Sequence, residues 1–441
     1  MVYLFFSFLH FVKQKFSIFS VPTFLFSLLV FSTISAYLTG RLLDLPMTYI
    51  LYEFYIGVML FILFSSWNNY SNIKGCDFSD ISAERLKKAE KIIIWINTFV
   101  FIVDIIIFAV VFSLLVAGVI HVSEYKNGGD SDLRQSIFSN LLPPAMISLS
   151  YVLSPFGYLS LTLHFYYMVK KNAKKAILHL ILSLTIILVG IIGLSRSALV
   201  NYVIVYAIMF LFIVPLLSKR LFRKSILAII IFGGAIGYVF STISEDRFGE
   251  SFYIESESLI DEKENPELVS FLDYFSQWVY FGPKLMERYS GPSDLSWGMY
   301  NSSGLGVAII QQIYGADKVN NALRKKYDKI IGDTGSAFHG CIVRTIFDFG
   351  YIGTFVFVLL NCYFTRKWGP TKSKIIRFKT LLSMPLLLPF SIGFFSGSSY
   401  SQLNINLAMI YMWMIYKFCS DTGKVVKSSP LSVSNDNKCN I

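Results

Sequence analysis

Three residues, Ser195, Arg196 and Ser197, separate two long apolar runs, AILHLILSLTIILVGIIGL and ALVNYVIVYAIMFLFIVPLL. A guanidinium stays charged and can donate to two oxygens at once, so an arginine between small hydroxyl residues suits a phosphate or diphosphate. Arg247 in SEDRFGE, Arg288 in KLMERYSG and Arg344 in GDTGSAFHGCIVRTIFDFGYIG could serve the same ligand. The last stretch also holds His339, which can act as acid, base or donor near neutral pH. Asp348 lies one helical turn beyond Arg344. Asp104 in FIVDIIIFAV is a carboxylate inside an apolar run, a costly position that often marks function. Glu53, with Tyr55 close by, sits near the end of another run and could line the same cavity.

Each of these has a plainer reading. Arg196 could be an interface anchor whose stem lies along apolar surface, or a helix-cap partner. Arg247 has Glu245, Asp246 and Glu250 within reach as ion-pair partners. Arg288 could be a solvated residue on an amphipathic helix. Arg344 and Asp348 could simply pair with each other across one turn. Asp104 could hydrogen-bond a neighbouring helix, and His339 could be an ordinary polar loop residue. The choice depends on the elements that position them.

Of 441 residues, 54% are hydrophobic, 17% aromatic and only 15% charged, too little polar surface for a soluble chain of this length. Apolar runs of about 20 residues recur, each long enough to cross a bilayer as a helix. The chain therefore reads as an all-α polytopic membrane protein. Its net charge of +11 does not point to nucleic acid, because Lys and Arg sit in short loops between apolar runs, as topology signals do. The first run lacks a small-residue cleavage site, so no cleavable leader is expected. The cysteines, Cys76, Cys341, Cys362, Cys419 and Cys439, fit no metal spacing, and only Cys341 falls in the long loop described below. Neither a metal, a cofactor nor a disulfide in that loop is expected.

The runs read as 17–39, 47–67, 92–119, 138–169, 176–194, 197–217, 225–243, 346–364, 377–396 and 402–418, about ten spans. LPP and SPFG interrupt 138–169, which predicts a broken helix or a re-entrant piece; residues 1–12 are too short to span and suit the interface. The basic segments FVKQKF, IKGCDFSDISAERLKKAEK, KKNAKK, SKRLFRK, TRKWGPTKSKIIRFK and KFCSDTGKVVK all fall on one side, which the positive-inside rule makes cytoplasmic together with both termini. The domain plan is then 1–243 with seven spans, an outward loop over 244–345, three spans over 346–418 and a polar cytoplasmic tail over 419–441. Loops of that length usually carry function. ELVSFLDYFSQWVYFGPKLMERY predicts an amphipathic helix with an aromatic face, GLGVAIIQQIYG and ADKVNNALRKKYDKII one or two more, and SEDRFGESFYIESESLIDEKENP an irregular entry.

The SRSA turn between two spans, the DYFSQWVYFGPKL helix in the outward loop and the FDFGYIG entry to the next span together resemble the Wzy-type polymerases of bacterial O-antigen and capsule repeat units, relatives of the O-antigen ligases. The likeness covers span order and loop placement from about residue 90 to 400. It implies a GT-C-like membrane glycosyltransferase in the bacterial inner membrane, with its active site facing the periplasm. Such an enzyme joins oligosaccharide repeat units carried on undecaprenyl diphosphate, without a metal. By the same likeness Arg196, Arg247, Arg344 and, more weakly, Arg288 bind the diphosphate. His339 is the first choice of base, and Asp348 or a glutamate of the loop the second. Donor and acceptor glycolipids, membrane lipid, a chain-length regulator and a flippase are the implied partners; nucleic acid is not. An O-antigen ligase shares this architecture and remains the nearest alternative. A lipid-linked oligosaccharide flippase is a further one, although the chain lacks two similar halves.

The topology is open to direct test. A membrane-impermeant thiol reagent added to intact cells should label a cysteine introduced near residue 260 and spare Cys76; labelling of Cys76 would reverse the orientation.

Overall fold

The computed structural model describes residues 2–13, 20–42, 45–120, 140–192, 196–220, 259–260, 266–299, 305–315, 340–396 and 403–420, with a few isolated positions besides. The elements are almost all helical: α1 Val2–Lys13, α2 Val21–Leu38, α3 Ile50–Ser65, α4 Ala83–Val116, α5 Pro144–Leu153, α6 Phe156–Val169, α7 Ala173–Ser183, α8 Thr185–Ile192, α9 Arg196–Ile213, α10 Pro266–Arg288, α11 Leu305–Tyr314, α12 Cys341–Trp368, α13 Phe378–Ser396 and α14 Leu403–Cys419. Against about ten expected spans, seven helices among the described residues are long and apolar enough to cross a membrane, or eight if a bent pair counts as one span. The difference has local causes. The 402–418 run forms the 17-residue α14, one turn of chain short of comfortable spanning length, and the 225–243 run lies largely outside the described residues. The chain is thus a multi-pass helical membrane protein.

The bent pair is α5 and α6, turned by 44° at Ser154–Pro155. Proline removes a backbone donor and breaks the ladder, and inside a bilayer the freed groups need protein partners. The carbonyl freed by Pro155, that of Tyr151, accepts from Ser154 Oγ at 3.0 Å, and the facing helix α4 ties the two halves from two positions seven residues apart, hence on one face. Asn97 Nδ2 donates to the Phe156 carbonyl at 3.0 Å and to Ser160 Oγ at 2.8 Å. Ser150 Oγ donates to Asp104 Oδ1 at 2.5 Å. Asp104 therefore bonds a neighbouring helix, while its Oδ2 is buried with no partner among the described residues.

Basic segments meet at one end. β1 (Gly75–Cys76) pairs in parallel with β2 (Ile375–Ile376). Asp80 accepts from the backbone N–H groups of Phe378 and Lys379, both at 3.1 Å, so one loop caps the first turn of α13 from across the molecule. Lys374 Nζ donates to the carbonyls of Asn68 and Asn69. Ser82 N–H donates to the Cys419 carbonyl at 2.8 Å. Lys170 lies 5.3 Å from the Phe78 ring centroid. Four of the six basic segments, those around Cys76, Lys170, Lys374 and Cys419, thus share one end of the bundle. The N-terminal segment is placed differently from expectation. Rather than lying at a surface, α1 packs lengthwise on α2 and α3: Tyr3 meets Trp278, Phe6 fills the space over Gly57, and His10 stacks on Phe26 at 4.1 Å. It descends toward the basic end, so Val2 begins above that end instead of within it.

At the opposite end α8 and α9, the helices on either side of the SRSA stretch, pack closely against each other. A Cβ on Gly190 would stand 2.1 Å from the Ala198 Cβ, so the two backbones approach as closely as glycine allows. Gly190→Ala should lower the melting temperature of the detergent-purified protein, by about 1–3 kcal/mol of overpacking. The double variant Gly190→Ala with Ala198→Gly should recover most of the loss, because the two Cβ atoms compete for one space.

Candidate functional site

The centre of the end opposite the basic loops is α10, the aromatic helix of the long loop. The sequence pattern predicts an amphipathic helix lying over the spans. Instead, from Leu272 to Met286 nearly every residue is buried or half-buried, with Trp278 sunk among Tyr3, Ser32 and Phe394. Burying a helix with this many polar groups is costly unless most of them are bonded. Trp278 Nε1 donates to Ser32 Oγ at 2.6 Å, and the Ser32 hydroxyl in turn donates to the Phe275 carbonyl. Ser276 and Thr39 share a bond at 3.3 Å. Arg41, from the turn after α2, bonds Asp273 at 2.5 Å with side chains only 7% and 2% exposed. Gln277 donates to the other carboxylate oxygen at 2.6 Å, and the Arg41 guanidinium lies 5.0 Å from the Phe281 ring centroid.

The C-terminal end of α10 leads into a compact loop, 289–299, wrapped around a break in α12. Glu287 accepts from the Tyr49 hydroxyl at 2.5 Å. The Tyr289 ring meets Phe347 and Tyr351 edge-on, with centroids 5.8 and 5.6 Å away. Burial, with the Asp294 carboxylate nearby, pushes the Tyr289 phenol up, so it remains a neutral donor at pH 7. Asp294 accepts from the Ser290 N–H and hydroxyl, each at 2.7 Å. Ser296 N–H donates to the Phe347 carbonyl at 2.9 Å, Trp297 N–H to the Asp348 carbonyl at 3.1 Å, and the Ser296 hydroxyl to the Asp348 carboxylate.

The break itself is Gly350, at φ 70° and ψ −178°, which divides α12 into two helices. A Cβ there would meet the Tyr289 hydroxyl at 3.1 Å. The first part starts at Gly340, whose φ of 82° and closeness to the Phe394 carbonyl also require glycine. Both parts reach Phe390: Cys341 Sγ donates to its carbonyl at 3.3 Å, and the Phe357 ring is 5.3 Å from its ring. The segment holding Arg344 and Asp348 therefore folds back beside the span that follows.

This geometry sorts the sequence candidates. Arg288 directly precedes Tyr289 at the start of the loop, and Arg344 lies one turn before Asp348 in the first part of α12; both arginines are half-buried and Asp348 is fully buried. The Asp348 carboxylate fastens Ser296, a positioning job. Glu53 is buried in the first turn of α3, and Tyr55 donates to the Tyr351 carbonyl at 2.7 Å. Asp104 is held elsewhere, against the broken span. Arg196 begins α9, but its side chain and that of Ser197 are not described; Ser195, Arg247 and His339 lie outside the described residues. Among the described residues no group of three His, Cys, Asp or Glu side chains could hold a metal ion. Sequence reasoning missed Arg41, Asp273 and Trp297. Arg41 carried a signal, since it is an arginine on a short turn of the face where the positive-inside rule disfavours one.

No family model, no curated protein and no solved structure matches this chain.

Removing one partner of a buried ion pair strands the other's charge, at a cost of about 3–5 kcal/mol. Arg41→Ala or Asp273→Ala should therefore sharply reduce the melting temperature and yield. Arg41→Met with Asp273→Leu should restore much of both, since the apolar pair leaves no charge behind.

Proposed function

We propose that this protein is a membrane glycosyltransferase that polymerises undecaprenyl-diphosphate-linked oligosaccharide repeat units at the outer face of the bacterial inner membrane, in O-antigen or capsule synthesis. The observation that carries the reading is that Arg288, at the end of α10, and Arg344, in the first part of α12, are both half-buried on elements tied together by the 289–299 loop, at the end of the bundle where α9 begins with Arg196. The likeness of SRSA, DYFSQWVYFGPKL and FDFGYIG to the polymerases supports it, and it carries with it the GT-C-like architecture.

In this reading the donor is a glycan on a lipid diphosphate. As the glycosidic bond breaks, negative charge grows on the departing diphosphate. Arg196, Arg247, Arg288 and Arg344 stabilise that charge, and preorganised donors of this kind account for much of enzymatic rate enhancement. The acceptor sugar hydroxyl loses its proton as its oxygen attacks the donor carbon. His339, the residue directly before Gly340, is the assigned base. Asp348 holds the 289–299 loop in place through the Ser296 hydroxyl.

A second reading, a lipid-linked oligosaccharide flippase, is favoured by one observation: the buried Asp104 beside the broken α5–α6 span, a combination that transporters place at their binding sites. Deletion of the gene with gel analysis of surface polysaccharide separates these. A ladder collapsed to one repeat unit means polymerase. Loss of every repeat unit means ligase or flippase, and loss of function in Asp104→Asn would then select the flippase.

Within the polymerase reading Arg196→Ala should abolish the ladder while leaving the protein inserted, a loss of about 2–4 kcal/mol of transition-state stabilisation, on the order of a hundred- to thousandfold in rate. Arg196→Lys keeps the charge but loses the two-oxygen fork and should rescue poorly. A normal ladder from the Lys variant at native expression would make Arg196 an interface anchor.

A further inference from the structure

One side chain in the 289–299 loop has no part in fastening it. The Trp297 side chain is exposed, with 74% of the residue's surface accessible, while its backbone is bonded to α12. Its φ is 55°, a left-handed conformation that bulky residues rarely adopt. The chain over-determines that conformation. Ser296 N–H and Trp297 N–H bond successive carbonyls of α12, the Ser296 hydroxyl holds the Asp348 carboxylate, and Met299 N–H closes the turn onto the Ser296 carbonyl at 3.2 Å. Glycine at 297 would adopt this backbone without strain. The strained, costly residue present instead has a large flat side chain aimed away from the protein. Strain kept at a position whose side chain makes no packing contribution points to a task for that side chain.

The chemistry of the task follows from the neighbours. An indole face is the negative side of a quadrupole, and it attracts the weakly positive C–H groups on the flat face of a sugar ring. Arg288 lies just before Tyr289, whose ring packs on Phe347 and Tyr351; Arg344 lies one turn before Asp348, which accepts from Ser296. Guanidinium groups and an exposed indole therefore share one loop-and-helix unit, matching a ligand that joins a sugar to a phosphate.

We propose that Trp297 is the platform on which a sugar ring of the lipid-linked glycan stacks, on the same loop-and-helix unit as Arg288 and Arg344, two of the arginines assigned to its diphosphate. This rests on the polymerase reading above for the identity of the glycan. A tryptophan at a bilayer surface can instead be a lipid anchor, and the experiment separates the two.

The protein in nanodiscs is compared with Trp297→Phe, Trp297→Ala and Trp297→Gly. The probe is the free repeat-unit oligosaccharide released by mild acid from lipid-linked intermediates of the same cells. Wild-type tryptophan emission should change on adding it, and the change should vanish in Trp297→Phe, which lacks the reporter. Trp297→Ala and Trp297→Gly should raise KM for the lipid-linked donor about tenfold, the factor worth about 1.4 kcal/mol, and Trp297→Phe should keep most of the affinity. The melting temperature of Trp297→Gly should not fall, because glycine relieves the strain; a packing role would lower it. Quenching of the Trp297 emission by brominated phospholipid, with no response to oligosaccharide and an unchanged KM, would overturn the proposal and make Trp297 a bilayer anchor. A gene deletion that leaves the ladder intact overturns the polymerase reading separately, and an oligosaccharide response surviving that result would keep the sugar platform in a protein of other activity.

Discussion

The arrangement depends on burying α10, a helix most of whose polar groups must be bonded once it leaves water. Its aromatic residues supply apolar area, but Asp273, Ser276, Gln277 and the Trp278 indole N–H make insertion unfavourable unless α2 and the turn after it meet them. Ser32, Thr39 and Arg41 do so at intervals along one stretch of chain. That match fixes the rotation and depth of α10, because sliding it by one turn would strand a carboxylate and an indole N–H together. The loop 289–299 begins where α10 ends, so its position is inherited from these bonds. The break at Gly350 then receives the loop, and Arg344 takes its place from the break.

The same accounting explains the broken span on the other side of the bundle. Pro155 ends one helix and starts another, and α4 answers with Asn97 and Asp104 on a single face. A hydrogen bond formed away from water is locally strong, and an unmade one is costly. These two sites are therefore specific joints between helices, as is Glu90 of α4 with Tyr167, Lys175 and His179.

Apolar run length and loop charge made most of the bundle legible in the sequence. The runs that became α2, α3, α4, α9 and α13 were visible because lipid imposes a length and a composition on a span. The break near SPFG was visible because proline acts locally. The burial of α10 was not, since a helix with an aromatic face and scattered polar residues looks the same whether it lies on a surface or inserts; only partners distant in sequence, such as Arg41 and Ser32, decide. Asp348 read as a candidate base because a carboxylate near a histidine suggests acid–base chemistry, and no local pattern announced that Ser296 would occupy it. The direction of α1 was hidden for a similar reason, because Gly57, which admits Phe6, lies in another helix and carries no mark of what will fill it.

The pairing of β1 with β2 also bears on how the protein is made. It joins residues 75–76 to residues 375–376, and Asp80 caps the first turn of α13 beside it. A helix can form as soon as it emerges, but a contact between segments so far apart must wait for almost the whole chain to be synthesised. Until then the early helices are inserted with their basic end unlatched, the Asp80 carboxylate without its backbone donors and the edge of β1 open. A chain ended before residue 375 lacks both the partner strand of β1 and the backbone donors for Asp80, so that end of the bundle closes only when α13 has been made.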